Sequence, residues 1–314
     1  MKKMSKYCFG IDIGGTTSKC GFFTAEGELV YKDEIPTRKD EGGSYILDDI
    51  KAHIEEICKK EGVSKEDIIS VGMGIPGAVR DDGVVNKCVN LGWGVFNVKT
   101  EMEAKVGVPV KVGNDANMAA LGEYWKGGAA GYSSMMLVTI GTGVGGGIII
   151  NGKPLNGFNG AAAEIGHIPV VEGEKEVCNC GKKGCLEQVA SATGIVRVAN
   201  RMLNDTDTPS TLRKAPYISA KLIFDEAKDG DSLAIQITEY VSRYLGKGLA
   251  CAAGMVDPEC FLIGGGVSAA GEYFTNLIEK YYKQYVFHPS RNTKVLLATL
   301  GNDAGMYGAA RLVL

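Results

Sequence analysis

Residues 10–23, GIDIGGTTSKCGFF, align without a gap on residues 137–150, LVTIGTGVGGGIII. Each block is an apolar run, a Gly/Thr turn and a second apolar run, the pattern of two strands joined by a tight turn. Two copies of one such unit, more than a hundred residues apart, suggest a duplicated domain; a solenoid would repeat every 20–50 residues. At 314 residues the chain also exceeds one comfortable hydrophobic core, so length and repeat agree on two domains.

Around the two units the pattern alternates between strand and helix. SYILDDIKAHIEEICKK (44–60) places Ile46, Leu47, Ile50, Ile54 and Ile57 at helical spacing, with Gly62 just past the end as a stop. A short strand at 69–73 leads into the turn GIPGAV, and VPVKVGNDANMAALGEYW reads as a strand running into a helix, with Asn114 or Asp115 as N-cap. ECFLIGGGVSAAGEYF reads as buried strand, glycine turn and helix, and residues 231–254 as one long helix with Ala234, Ile235, Ile237, Val241, Leu245, Leu249 and Ala252 on its apolar face. The stretch 204–216, NDTDTPSTLRKAP, reads as a polar loop. The expected class is mixed α/β with two similar halves and a crossover into the second near residues 118–134.

A formal charge of −3 gives no electrostatic footprint for nucleic acid or an anionic membrane. The opening MKKMSKYCFG has basic residues but no apolar leader core, and no apolar run is long enough to span a bilayer, so a cytoplasmic protein is expected. In a reducing compartment disulfides are disfavoured. Six of the nine cysteines (Cys8, Cys20, Cys58, Cys88, Cys251, Cys260) are scattered singly and read as small buried hydrophobes. Only Cys178, Cys180 and Cys185 cluster.

GTGVGGG contains G-x-G-x-x-G at Gly141, Gly143 and Gly146, but a dinucleotide fingerprint needs a helix straight after it. Here Ile148, Ile149 and Ile150 follow, then Asn151-Gly152, a strong hairpin-turn signal, so these glycines join strands. Paired Gly/Thr turns present backbone N–H groups and hydroxyls as nests for phosphate oxygens. In the first, Asp12 precedes Gly14-Gly15-Thr16-Thr17 with Lys19 beyond, and a carboxylate beside a phosphate nest suits a bridging Mg²⁺. The second turn supplies Gly141, Thr142 and Gly143, and a third glycine run, Gly264-Gly265-Gly266, follows a buried strand.

DIGGTTSK, TIGTGVGGG and LIGGGVS resemble the two phosphate motifs and the adenosine motif of the sugar kinase and actin-like ATPase superfamily. Within it, GIPGAV, NDAN, EIGH and CNCGKKGCLE resemble the ROK family (repressors, open reading frames, sugar kinases), from about residue 8 to the C-terminus. NLGWGVFNV, NDANMAALGEYW and ATLGNDAGMYGAA are most similar to its glucose-phosphorylating members. The resemblance implies two RNase H-like domains flanking a cleft: residues 1–118 joined by a C-terminal helix at 301–314, and 119–300 with a metal-bearing loop at 167–185.

His167 with Cys178-x-Cys180-x4-Cys185 forms a Cys₃His set, which tetrahedral zinc accepts with no position left open, so a structural Zn²⁺ is expected. Glu164 and Glu187 flank these ligands, so fixing an ion fixes both carboxylates. The resemblance implies that Glu164, His167 and Glu187 contact sugar hydroxyls, His167 through its second ring nitrogen. Phosphorylating a hydroxyl requires an acceptor for its proton. From local sequence Asp115 could be that base or a simple helix N-cap; the resemblance carries the base role onto it and makes Asn114 a sugar ligand, with Asn90 and Gly77 as weaker candidates.

The implied activity is transfer of the ATP γ-phosphate to the 6-hydroxyl of glucose, with N-acetylmannosamine or another hexose as the alternative acceptor. A sugar-responsive repressor of the same family carries a DNA-binding domain ahead of its kinase-like part, whereas Asp12 here arrives within the first dozen residues. Small-molecule partners only are expected, with a homodimer or larger homo-oligomer implied by the family.

Overall fold

The computed structural model describes residues 6–314; the basic opening residues 1–5 lie outside the described residues. Two compact units emerge: the chain up to Gly131 with Gly147–Ala163 and Leu300–Leu314, and Tyr132–Gly146 with Glu164–Thr299.

The first unit begins with strands β1 (Tyr7–Ile13), β2 (Thr17–Thr24) and β3 (Leu29–Pro36), a single turn α1 (Asp40–Gly43) and helix α2 (Ile46–Glu61). Then follow β4 (Ile68–Ile75), the small antiparallel pair β5 (Val84–Cys88) and β6 (Trp93–Asn97), α3 (Val98–Val106), β7 (Val110–Asn114) and α4 (Asp115–Lys126). Its sheet is ordered β3-β2-β1-β4-β7, antiparallel through β1–β3 and parallel from β1 to β7. The five aliphatic positions expected on one face of α2 are all buried, and Gly62 closes that helix in the left-handed conformation at φ 66°. Register aligns Asp12 on β1 with Gly74 on β4, and Gly74 with Gly113 on β7. The carboxyl ends of three neighbouring parallel strands therefore release Asp12, the Gly77 turn and the Asn114–Asp115 corner along one edge, where open α/β sheets form their ligand sites.

In the second unit β8 (Ser134–Ile140) leads into β9 (Val144–Ile150), whose later residues belong to the first unit, where Asn151-Gly152 turns the chain into β10 (Lys153–Pro154). Helices α5 (Glu187–Ala190), α6 (Ala192–Asp205), α7 (Ala220–Lys228) and α8 (Ser232–Val256) precede β11 (Cys260–Gly264), α9 (Glu272–Tyr285) and β12 (Lys294–Leu297). Strands β8, β11 and β12 run parallel, with β11 between the other two. Asp231 caps α8 by accepting from the N–H groups of Leu233 and Ala234, and Ile237, Val241, Leu245 and Leu249 are fully buried. Three local expectations are corrected. A 3₁₀ turn at Gly266–Ala270 intervenes before α9, since Gly271, at φ 73°, interrupts the helix. The polar loop contains a 3₁₀ turn at Thr211–Lys214 that buries Leu212. Cys251 is exposed, because it faces away from the apolar stripe of α8. No helix among the described residues is long and apolar enough to cross a membrane.

The chain ends in α10 (Ala304–Val313), which lies against α4 and the first sheet with almost no side chain between. A Cβ on Gly72 would stand 1.8 Å from the Ala309 carbonyl oxygen, and one on Gly308 would stand 1.6 Å from that of Met118. We expect Gly308→Ala to lower stability by about 1–3 kcal/mol or more in urea unfolding, because only a shift of α4 or α10 makes room. By contrast Gly254→Ala, in the interior of α8 with nothing within 4 Å of the new methyl, should raise stability by roughly 0.5–1 kcal/mol.

Candidate active site and metal centre

At the corner between β7 and α4, Asn114 is the N-cap: its Oδ1 accepts the Asn117 N–H at 3.1 Å. Its amide nitrogen donates to the Gly77 carbonyl at 2.9 Å and to Asp115 Oδ1 at 3.0 Å. Asp115, the first helical residue, also accepts the Ala116 N–H at 2.8 Å on the same oxygen. One oxygen of the carboxylate is thereby committed to orientation.

Asp12 lies on the same edge. Burial, reinforced by the nearby Asp115 charge and opposed by Lys19, pushes its carboxyl up to about 7. A Cβ on Gly305 would stand 2.5 Å from that carboxylate, so the start of α10 forms one wall of its pocket. Gly14 N–H donates to the Thr17 carbonyl at 2.9 Å and closes the turn that carries Gly15 and Thr16. Lys19 donates to the Asn302 carbonyl at 2.7 Å and lies 4.0 Å from Asp303, so in this structure it is engaged with the segment before α10. Asn90 is exposed on a 3₁₀ turn whose backbone comes near Gly15: a Cβ there would be 3.9 Å from the Asn90 carbonyl oxygen. The first unit thus gathers Asp12, Gly14–Thr17, Gly77, Asn90, Asn114 and Asp115.

The second unit gathers the others. The turn after β8 is closed by the Gly141 N–H donating to the Gly143 carbonyl at 2.9 Å. Gly264 ends β11, and Gly265, at φ 79°, packs so closely that a Cβ would stand 2.5 Å from the Ile140 carbonyl oxygen. The two glycine runs therefore abut. Glu187 accepts the Val144 N–H on Oε2 at 3.0 Å, and its Oε1 lies 3.9 Å from Cys178 Sγ. Glu164 is exposed, immediately before the single 3₁₀ turn Ile165–His167.

The ligand atoms of His167, Cys178, Cys180 and Cys185 all lie within 4.8 Å of one another. Cys178 Sγ stands 3.8 Å from His167 Nδ1, and Cys180 Sγ 3.5 Å from Cys185 Sγ. A tetrahedral ion with sulfur bonds of about 2.3 Å holds its sulfurs about 3.8 Å apart, so the four groups fit one metal ion. Left to themselves the thiols diverge. Burial, with the neighbouring sulfurs, pushes Cys185 up to about 12, while hydrogen bonding from the Lys182 backbone and adjacent thiols draws Cys180 below its ordinary value. A cation bound among them would favour the thiolate form of its cysteine ligands.

One polar group here has no signature in the sequence. Gln188 is buried, and its Oε1 accepts the Gly184 and Cys185 N–H groups at 2.8 and 3.1 Å while its amide donates to the Glu176 carbonyl at 3.1 Å. Arg197 bonds Glu176 at 2.7 Å and the Gln188 carbonyl, and Arg201 reaches both oxygens of buried Glu174 at 3.3 Å. The cysteine loop is therefore clasped by α5 and α6 as well as by its ligand set. A second unforeseen chain runs from Asn117 to Asn156 at 2.9 Å and on to Asp81 at 2.8 Å, bracing the first turn of α4.

The sequence pattern of the ROK family matches residues 8–314. This chain belongs to the ROK family. A glucokinase of Halalkalibacterium halodurans is 42% identical over 313 residues, 98% of this chain and 95% of that protein. Among solved structures, a ROK family glucokinase from Streptomyces griseus in complex with glucose and AMPPNP superposes with a TM-score of 0.75 at 36% identity, covering 98% of both chains. A ROK hexokinase from Thermus thermophilus gives a TM-score of 0.81 at 31% identity over 97% of each chain. The expected α/β architecture of this ROK chain is thus that of its relatives.

Because Asp12 holds its proton more tightly folded than unfolded, stability falls as pH rises from its ordinary value of 3.8 towards about 7. Asp12→Asn removes that penalty. In urea unfolding without ligands, the variant should match the parent near about pH 3.5 and exceed it near about pH 8, by at most about 4 kcal/mol, with partial solvent access reducing the figure. Equal stability differences at both pH values would contradict this account.

Proposed function

We propose that this chain is a glucokinase that transfers the γ-phosphate of ATP to the 6-hydroxyl of glucose. The observation that carries the reading is 42% identity to a glucokinase along 98% of the chain. The geometry of the Asn114–Asp115 corner supports it. Asp115 Oδ1 accepts from two N–H donors, which orient the carboxylate assigned to take the hydroxyl proton as the phosphoryl group moves. Asn114 orients that carboxylate through its amide nitrogen, and its Oδ1, which accepts the Asn117 N–H, has a second lone pair assigned to a sugar hydroxyl; Gly77 and Asn90 border the same edge.

Glu164, Glu187 and the second ring nitrogen of His167 are assigned to the other sugar hydroxyls. Planar carboxylates suit adjacent hydroxyls, since each can accept from two donors. The turns Gly14–Thr17 and Gly141–Gly143 are assigned to phosphate oxygens, with Lys19 beside them, and Gly264–Gly266 to the nucleoside side. Magnesium, when bound, neutralises phosphate charge, and Asp12 is the carboxylate assigned to hold it. The ion fitted by His167, Cys178, Cys180 and Cys185 is assigned as structural zinc, since four protein ligands leave no open position. Two functional lobes, a cytoplasmic location and a homo-oligomeric state complete the proposal.

A coupled ADP-release assay over glucose, mannose, fructose, N-acetylglucosamine and N-acetylmannosamine tests the activity. Glucose should give the highest kcat/KM; a preference for N-acetylmannosamine would reassign the substrate. Asp115→Asn should lower kcat by roughly 10²–10⁴-fold while glucose binding changes only a few-fold, and near-parental turnover would remove Asp115 from its role. Elemental analysis should find about one zinc per chain. Metal-free, monodisperse and fully active protein would refute the metal assignment.

A further inference from the structure

The short segment from Glu187 to Thr193 is laced to the turn after β8 at three points. The Val144 N–H donates to Glu187 Oε2 at 3.0 Å, the Ala192 N–H to the Gly141 carbonyl at 2.8 Å, and the Thr193 hydroxyl to the Thr142 carbonyl at 3.1 Å. The segment is itself stiff. Ser191 Oγ donates to the Glu187 carbonyl at 2.8 Å and accepts the Gly194 N–H at 3.0 Å, capping α6. On its other side, Cys185 and Leu186 connect it directly to the cysteine loop, and Gln188 grips that loop's backbone. Thr142, Glu187 and Thr193 line one cavity of about 290 Å³.

We propose that this elbow couples the two ligands, so that sugar at Glu187 and phosphate at the Gly141–Gly143 turn bind cooperatively. The inference rests on the sugar and phosphate roles assigned above. Glu187 commits Oε2 to a charge-assisted bond with Val144, and Oε1, which meets only the long 3.9 Å approach of Cys178 Sγ, is the oxygen assigned to a hydroxyl. A sugar hydroxyl on Oε1 fixes the carboxylate and thereby the Val144 N–H at the rim of the phosphate turn. Phosphate in that turn fixes Val144 and thereby the carboxylate. Each ligand orders a group that the other needs, so the second to arrive meets less disorder. The effect is reciprocal: each ligand must tighten the other by the same factor.

Gly143 provides a way to cut the link. A Cβ there would stand 2.4 Å from Glu187 Oε2 and meets nothing else, so Gly143→Ala drives the carboxylate away from Val144 without removing it. Thr193→Val keeps the side chain's shape and deletes the hydrogen bond to Thr142. Titration calorimetry on the full chain would measure glucose alone, Mg²⁺–AMPPNP alone, and each with the other saturating. The parent should show a mutual tightening of about fivefold or more, equal in both directions. Gly143→Ala should reduce the factor to below about twofold while glucose alone still binds. If that variant loses the nucleotide outright, Thr193→Val decides, with an expected fall in the factor of at least about twofold. A parental factor indistinguishable from one, or an undiminished factor in the deciding variant, overturns the coupling. Independent binding of both ligands would sink the coupling alone, whereas no glucose binding by the parent would sink the functional reading with it.

Discussion

Backbone lies directly against backbone where α4, α10 and the first sheet meet, and the site in the first unit depends on that contact. Gly72 and Gly308 leave no volume for a methyl group, so the helices seat on the strands at a single depth. Asp115 is the first residue of α4, and Gly305 in α10 faces the carboxylate of Asp12. A helix seated on side chains could drift by the difference between two rotamers; one seated on peptide groups cannot. The two acids are thus placed by packing some distance from the chemistry assigned to them.

Much of this was legible in local pattern. The duplicated strand–turn–strand units appear as β1–β2 and β8–β9, and Asn151-Gly152 turns with φ of 50° and 75°, as its residue types demand. The α2 stripe, its glycine stop and the capped corner at Asn114 were readable for the same reason: each is decided by residues within a few positions of one another. The Cys₃His set was readable because few soluble loops place so many soft ligands together.

What escaped was decided at long range. Gln188 is an unremarkable residue in sequence, and its importance comes from facing two N–H groups that the cysteine loop turns inward. The Asn117–Asn156–Asp81 chain spans separations of 39 and 75 residues and has no periodicity to reveal it. The general burial habit of free thiols predicts an inward Cys251, but the rotation of α8 places it in solvent. The 3₁₀ turn before α9 hinged on Gly271 taking φ 73°, which composition alone does not select among many glycines.

The clasp made by Gln188, Arg197 and Arg201 bears on how the cysteine loop would meet the proposed ion. Because those contacts involve peptide groups and acids rather than the thiols, the loop keeps a shape of its own, and coordination would have less chain to organise than in a finger that is unfolded without its metal. Were the proposed ion bound, its exchange would be a local event at the exposed Cys180 rather than an excursion through the denatured chain. A metal held there as proposed could be lost and regained while the surrounding protein remains native, so the lifetime of the fold would not be tied to the residence time of the ion.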